Sequence, residues 1–482
     1  MDSLVDKLSG LWPRSGVFAS RTVRAGLARA ALLAIVVPPL VWERPPLQAV
    51  AVAGLAALCI GIGDRYLART RPHHHERSRD GFVVSLLTAG SVYLTWLHAL
   101  AAPDITPFVL PLPIGPMVAA MLAGPQAGMF VAAASVGAGV LQGVLGGPVV
   151  FAVLLVDVAA IASMASLKDR ARLVAGASSV VAVMAAAASG AAALAGARLD
   201  AIVREAALGA AGGVVTVIAA LGLLAVFEAL FGVTSDVRLL ELANPSAPLM
   251  RRLMFEAPGT YTHAILTGNL AEAAAQAIGA DPLLARVGAY YHDVGKLARP
   301  GFFVENQSVC SNPHANTSPS LSALIIAAHV REGVELAEQH RLPPEVVDII
   351  RQHHGTSVMS YFYRKATANG DPVVEADFRY SGELPASREA AIVMLADAAE
   401  AAVRAMTKPT PPRIEECVRR VLDTKLADHQ LDHADLTFAD LERIVEVYTR
   451  LLSGLYHPRI EYPSFVHERD ADVGTRDQPS RP

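Results

Sequence analysis

Seven residues in the second half of this chain carry side chains suited to gripping cations: His263, the adjacent pair His292 and Asp293, His329, the adjacent pair His353 and His354, and Asp397. Imidazole and carboxylate together suit borderline transition metals such as iron, manganese or zinc. A lone helical histidine is more often a satisfied core residue than a ligand. The set is different. Burying that many titratable groups in one small domain would cost several kcal/mol unless something neutralised them, and a bound metal pair does so. Around Asp293 the chain reads AYYHDVGK, in which Gly295 is expected to end or loosen a helix and open the His-Asp pair to a cleft.

The elements that must position these residues are helices. From Arg238 onward the pattern is amphipathic, broken by Pro and Gly, with no run of alternating strand character. Candidate helices cover about 260–279, 282–296, 319–340, 344–354, 386–407, 412–425 and 436–454, and the seven residues fall on them or at their ends. Pro282, Pro344 and Pro412 stand where first-turn prolines belong.

The first half is far more apolar. A helical span needs roughly 20 mostly apolar residues, and eight stretches come near this: 27–42, 47–63, 82–102, 106–123, 127–146, 148–166, 173–197 and 207–232. Pro38 and Pro39 can break the first, which would leave seven. Lys and Arg collect in the N-terminal segment (Lys7, Arg14, Arg21, Arg24), in 64–80 and in 167–172. Alternation across eight spans puts all three, and residue 233 onward, on the cytoplasmic face. No cleavable signal peptide is expected. Gly124 with Gly128, and Gly139 with Gly143, have small-xxx-small spacing, which in so glycine-rich a sequence is read as plain packing. Asp157 lies inside an apolar run, where a carboxylate is either a ligand or proton site or a hydrogen-bond partner within the bundle. His73, His74 and His75 read as a solvated loop.

The chain is all-α by this reading: a polytopic transmembrane helical bundle followed by a cytoplasmic all-helical domain. Its parts are a cytoplasmic N-terminal segment (1–26), the bundle (27–232), a junction (233–255), the helical domain (256–458) and a tail (459–482) that reads as disordered toward its end. Lys plus Arg number 41 against 45 Asp plus Glu, so no basic field exists to attract bulk nucleic acid. Cys59, Cys310 and Cys417 have no paired spacing, which argues against a thiolate metal site or a disulfide framework.

The order His263, His292-Asp293, Asp397 resembles the HD superfamily of metal-dependent phosphohydrolases, and His329 with His353-His354 resembles its two-metal branch. Longer phrases sharpen the likeness: EAPGTYTHA at 256–264, ARVGAYYHDVGKLARPGFFVENQ at 285–307, NPHANTSPSLSALIIAAHV at 312–330 and QHHGTSVMSYFY at 352–363. These resemble the membrane-bound PgpH-type cyclic di-AMP phosphodiesterases, the seven-transmembrane HD receptors. The likeness extends through the junction FGVTSDVRLLELANPSAPLMRRL at 231–253 and, in architecture, into the membrane helices. That family places a large external sensor after its first helix, whereas here only ERPP, 43–46, separates the first two candidate spans.

The resemblance implies two divalent transition metal ions, iron or manganese. One would be held by His263, His292, Asp293 and Asp397, the other by His329, His353 and His354, with Asp293 bridging. It implies hydrolysis of cyclic di-AMP to linear 5′-pApA through a hydroxide shared by the two ions, and it leaves room for a homodimer. Lys296 is expected to offset phosphate charge, with Arg299 and Asn312 as substrate contacts in or beside the loop 300–318 and Tyr361 as a stacking contact to adenine. Asn306, Tyr290, Tyr291 and Phe362 are further polar or stacking candidates, while His314 and His340 are expected to be exposed. The alternatives are a cyclic di-GMP phosphodiesterase, disfavoured because HHGTSVMSYF carries no GYP tripeptide, and a one-metal nucleotide hydrolase, which would not need His329, His353 and His354. A noncatalytic nucleotide receptor and a transporter are the remaining readings.

Overall fold

The computed structural model describes residues 44–70, 78–102, 105–164, 170–231, 233–307, 312–368 and 373–456, together with most of 33–41. The basic N-terminal segment, His73 to His75, the loop around 167, Cys310 and the tail lie outside the described residues. The fold is all-α, and no strand occurs among the described residues beyond an isolated bridge between Val358 and Arg379.

Among the described residues of the N-terminal half, a helical piece at 36–41 is followed by α1 (Pro46–Thr70), α2 (Ser78–Ala101), α3 (Ile114–Ala123), α4 (Pro125–Leu141), α5 (Pro148–Met164), α6 (Arg170–Leu194) and α7 (Leu199–Phe231). Three apolar stretches, Gly81–Ala101, Ala171–Leu194 and Leu199–Phe231, are long enough to cross a bilayer. The stretch 106–123, expected as one span, is instead a 3-10 turn at Pro107–Val109 followed by the ten residues of α3. At 1.5 Å per residue α3 is about 15 Å long, half a bilayer core. Proline explains the difference, because Pro107, Pro111 and Pro113 interrupt the ladder before α3 can start.

Small residues set the spacing in this half. A Cβ at Gly209 would lie 2.6 Å from the Met184 carbonyl oxygen and one at Gly213 2.7 Å from Val181 Cα, so α6 and α7 meet backbone to backbone. The suspected glycine pairs divide by role. Gly128 packs against α3, where its Cβ would sit 2.7 Å from the Pro116 oxygen, while Gly124 (φ 86°) and Gly143 (φ 78°) serve turns.

Beyond α7 the junction holds α8 (Asp236–Leu242) and α9 (Pro248–Glu256), two short helices the periodicity did not separate. Ser235 caps α8 by accepting from Arg238 N, Thr234 Oγ1 donates to Glu345, and the buried Tyr291 hydroxyl donates to Leu242 O at 2.9 Å. The C-terminal domain then runs α10 (Pro258–Ile278), α11 (Pro282–Tyr291), α12 (Pro319–Gln339), α13 (Pro344–Gln352), α14 (Ser360–Ala368), α15 (Arg388–Arg404), α16 (Pro411–Ala427) and α17 (Phe438–Leu455). α15 is the central helix: Ala390 to Asp397 are all buried, packed against α10, α11, α16 and α17. Tyr448 of α17 donates to Ile392 O at 2.8 Å, which satisfies its buried hydroxyl.

Candidate metal centre

Two helices end where the chemistry begins. α11 stops at Tyr291 rather than near 296, His292 is its C-cap, and Asp293 follows with φ −104° and ψ 13° before a 3-10 turn over Val294–Ala298. α13 stops at Gln352 with His353 as its C-cap. The last carbonyls of a helix lack intrahelical donors, and these histidines supply them: His292 Nδ1 lies 2.7 Å from Ala289 O, and His353 Nδ1 lies 2.8 Å from Ile350 O. His329, inside α12, makes the same contact with Ile326 O at 2.6 Å, and His263 of α10 sets its Nδ1 2.6 Å from Glu400 Oε2. Each of the four rings is therefore anchored at Nδ1 and turns Nε2 inward, the arrangement that fixes the tautomer of a metal-binding imidazole.

The inward atoms converge. His263 Nε2 is 3.0 Å from Asp397 Oδ1, His292 Nε2 is 3.1 Å from Asp293 Oδ2, and His329 Nε2 is 3.3 Å from Asp293 Oδ1. His354 presents Nδ1 instead, 3.6 Å from Asp397 Oδ2. Ligand atoms fall into two groups, each within 4.8 Å: His263, His292 and Asp397 in one, and Asp293, His329, His353 and His354 in the other. Asp293 stands between them, since its Oδ2 is also 3.7 Å from His263 Nε2. All seven sequence candidates are thus brought to one place.

Gly295 does not open the pair to a cleft. His292 and Asp293 are 0% and 2% exposed, and a Cβ at Gly295 would fall 1.9 Å from the His329 carbonyl oxygen. The glycine is there for close approach of the 3-10 turn to α12, where Gly333 provides the matching gap. The cluster meets solvent at His354, Asp397 and Lys296, whose side chains are 19%, 12% and 13% exposed.

The electrostatics suit a bound cation. Burial works against the charge on Asp293, but His292 and Lys296 hold it ionised, well below the usual carboxylate range. Burial likewise opposes protonation of His292, yet Asp293 and then Asp397 raise it to about 10. Burial, then His292 and His329, lowers His353 to about 3, and burial with His353 holds His354 well below the imidazole range. Neutral imidazole is the form that binds metal.

Two further observations test the fit. His292 Nε2 and both Asp293 oxygens are buried without an aligned hydrogen-bond partner, even though Lys296 Nζ lies 2.7 Å from Oδ2 as a charge contact. His329 Nε2 and His353 Nε2 face each other at 3.3 Å with both Nδ1 atoms already committed to carbonyls. Two lone pairs so placed need a cation between or beside them. The residues fit divalent metal, and the donor set of imidazole and carboxylate does not choose between iron and manganese.

Three neighbours escaped the sequence reading. Glu400 anchors His263 and is completely buried, with Tyr456 OH donating to it at 2.9 Å. Its signal was available, because LADAAEAAV at 395–403 puts two carboxylates three residues apart in an apolar run. Glu305 pairs with Lys296 at 2.7 Å. Tyr380 stacks on His354 with centroids 4.2 Å apart, held there by the extended bonds Met359 N to Phe378 O and Tyr380 N to Ser357 O. Nothing local in the sequence announces either contact.

The expected substrate contacts are differently placed. Lys296 is largely buried between Asp293 and Glu305. Arg299 pairs with Glu332 at 2.8 Å, Asn312 is exposed and accepts from His314 N, and Tyr361 is 65% exposed beside Phe362. Tyr290 and Tyr291 are core residues, and Asn306 spends its amide on Thr260 and Pro300. His340 is exposed as expected. His314 is not: it is 7% exposed, with Nε2 2.9 Å from Phe302 O and its ring against Phe302 and Phe362, because the 3-10 turn Pro313–Ala315 folds it inward.

Comparison with known proteins agrees with this architecture. Residues 260–402 match the HD domain family, and residues 46–235 match the family described as 7TM receptor with intracellular HD hydrolase. This chain belongs to the membrane-bound HD family. It is 45% identical over 285 residues to cyclic-di-AMP phosphodiesterase PgpH of Bacillus subtilis (strain 168), covering 59% of this chain and 40% of the relative. Against PgpH of Listeria monocytogenes serotype 1/2a (strain 10403S) it is 43% identical over 252 residues, 52% and 35% of the two chains. The match thus spans less than half the length of either curated relative. The solved HD domain of L. monocytogenes PgpH, crystallised alone and in complex with cyclic-di-AMP, is 42% identical, covering 44% of this chain and 100% of that one, with TM-scores of 0.42 and 0.43.

Proposed function

We propose that this chain is a membrane-anchored, metal-dependent phosphodiesterase that hydrolyses cyclic di-AMP to linear 5′-pApA. The observation that carries the reading is the convergence of five histidines and two aspartates, from separate helices, on one buried cluster with orphaned inward atoms. Identity of 45% and 43% to two proteins named as cyclic-di-AMP phosphodiesterases supports the choice of substrate. We also propose the domain limits 27–232, 233–255 and 256–458, with the HD domain on the cytoplasmic side, where the sequence collects its basic loops.

His263, His292, Asp293 and Asp397 would hold one divalent ion and His329, His353 and His354 the other, with Asp293 shared. Such a pair supplies Lewis acidity toward phosphoryl oxygens and lowers the pKa of a coordinated water toward neutrality. The chain's own residues do the rest. Glu400 and three backbone carbonyls fix the imidazoles, so little reorganisation remains when charge develops on the phosphate. Lys296 donates one N–H to Glu305 and faces Asp293 as a charge contact, leaving a donor for a non-bridging phosphate oxygen on the exposed side of the cluster. Water oxygen attacks phosphorus in line with the 3′ oxygen, that bond breaks, the 3′ oxygen leaves as an alcohol, and the product keeps its 5′ phosphate.

The full-length chain in detergent, supplied with cyclic di-AMP or cyclic di-GMP under iron and under manganese, tests this. Expected is pApA from cyclic di-AMP, with Asp293→Ala reducing the rate by roughly a hundredfold or more while the helical circular dichroism signal persists. Full activity in that variant would exclude the shared aspartate, and preference for cyclic di-GMP would exclude the proposed substrate.

A further inference from the structure

The metal centre leaves one buried carboxylate without a task. Asp157 lies on α5 within the membrane bundle, is 1% exposed, and neither of its oxygens has a hydrogen-bond partner. An unpaired carboxylate in such a place is costly and marks a functional site by default.

Its surroundings say what would satisfy it. Asp157 opens on a small cavity between helices, lined also by Ser91 and Thr95 of α2 and Ser135 of α4, with Leu112 and Val153 among the apolar walls. Each hydroxyl already gives its proton to its own helix: Ser91 to Leu87 O at 2.9 Å, Thr95 to Val92 O at 2.9 Å and Ser135 to Ala132 O at 3.0 Å. What they turn to the cavity is lone pairs. The polar wall therefore consists of acceptors only, a carboxylate and three hydroxyl oxygens. Gly115 holds the arrangement closed, since a Cβ there would fall 2.0 Å from Ser91 Oγ.

A guest for this cavity must bring positive charge, must accept an all-oxygen shell, and must be small. The volume is about 10 Å³, enough for one water-sized species. Oxygen donors select hard cations, and a single carboxylate balances a single positive charge. We propose that the cavity around Asp157 binds one dehydrated monovalent cation of sodium's size, held by the Asp157 carboxylate and the hydroxyl oxygens of Ser91, Thr95 and Ser135. The site is independent of the HD domain and does not rest on the phosphodiesterase reading.

Full-length protein in lipid nanodiscs, titrated with radioactive sodium at constant ionic strength with choline as the replacing cation, tests the proposal. Expected is saturable binding of one sodium ion per chain, weakened by about tenfold or more in Asp157→Asn, which removes the only charge, and several-fold in Ser135→Ala. Sodium should also raise the thermal unfolding midpoint of the wild type and leave that of Asp157→Asn unchanged. Wild-type protein that takes up no sodium would mean that water and a proton fill the cavity, and the proposal fails. It fails equally if Asp157→Asn binds sodium as the wild type does. Should that variant not fold, Ser135→Ala decides, with unchanged sodium affinity overturning the assignment.

Discussion

Replacing Glu400 by Gln isolates the residue that orients His263. The carboxylate is wholly buried, lies 2.6 Å from His263 Nδ1, accepts from Tyr456 OH at 2.9 Å and has Arg404 3.7 Å away. Glutamine keeps the shape: its one carbonyl oxygen can accept from His263 Nδ1, while its amide N–H donates to the Tyr456 hydroxyl oxygen, so packing is preserved. What disappears is the negative charge that makes His263 a stronger donor through Nε2. Loss of such a partner typically lowers metal affinity 10–100-fold, which is about 1.4–2.7 kcal/mol. Arg404 is 37% exposed and can turn to solvent, so its lost partner adds little to the cost. Under the proposed two-ion arrangement the weakening should fall on one ion only, because Glu400 is bonded to His263 and not to His329, His353 or His354. Metal titration followed by elemental analysis should show one ion lost at limiting metal and the other retained, with unchanged circular dichroism. Equal weakening of both ions, or of neither, would refute this account of how His263 is set.

Lys296→Met leaves Asp293 and Glu305 buried and facing each other, so the metal-free domain should lose about 3–5 kcal/mol in denaturant unfolding, and bound metal should recover part of it. Equal losses with and without metal would show that Lys296 does not share its charge role with the ions. Gly295→Ala forces the 3-10 turn away from α12, and a cost of about 1–3 kcal/mol or more should appear as a lowered thermal midpoint together with reduced metal content. Thr437→Ala removes the α17 capping box and should cost about 1 kcal/mol near pH 7. Thr437, through its hydroxyl and then its backbone N–H, holds Asp440 below the usual carboxylate range, so this contribution is present above about pH 4 and is lost as acid protonates the folded carboxyl. The stability gap between the two proteins should therefore close on acidification, and a gap that widened would be inconsistent with the cap.

The sequence reading was strongest where one residue type carries the whole message. Histidines on apolar helix faces and prolines at helix starts are local signals: Pro282 and Pro344 do begin α11 and α13, and α16 begins at Pro411, one residue before the proline singled out. Where helices stop was harder to see. α11 ends five residues early because His292 caps it, and nothing in the apolar periodicity marks that. Contacts between distant segments were illegible, as with Tyr380 reaching His354 through an isolated bridge, or His314 turning inward on a one-turn helix. Composition also overstated helix length in 106–123, where hydropathy is continuous but the hydrogen-bond ladder is not. Glu400 was visible and passed over, since a glutamate beside a candidate ligand reads as solubility until its burial is known.

The meeting of Gly295 with the His329 carbonyl is main chain against main chain, with Gly333 as the reciprocal gap. Separation between Asp293 and the His329 wall is thereby set by the bulk of peptide groups. The apolar filling around α10 and α15 can drift in sequence, or be redesigned for thermal tolerance, while that main-chain contact keeps Asp293 beside His329. The same rigidity makes those two glycines intolerant positions, where adding one carbon would push the 3-10 turn and α12 apart.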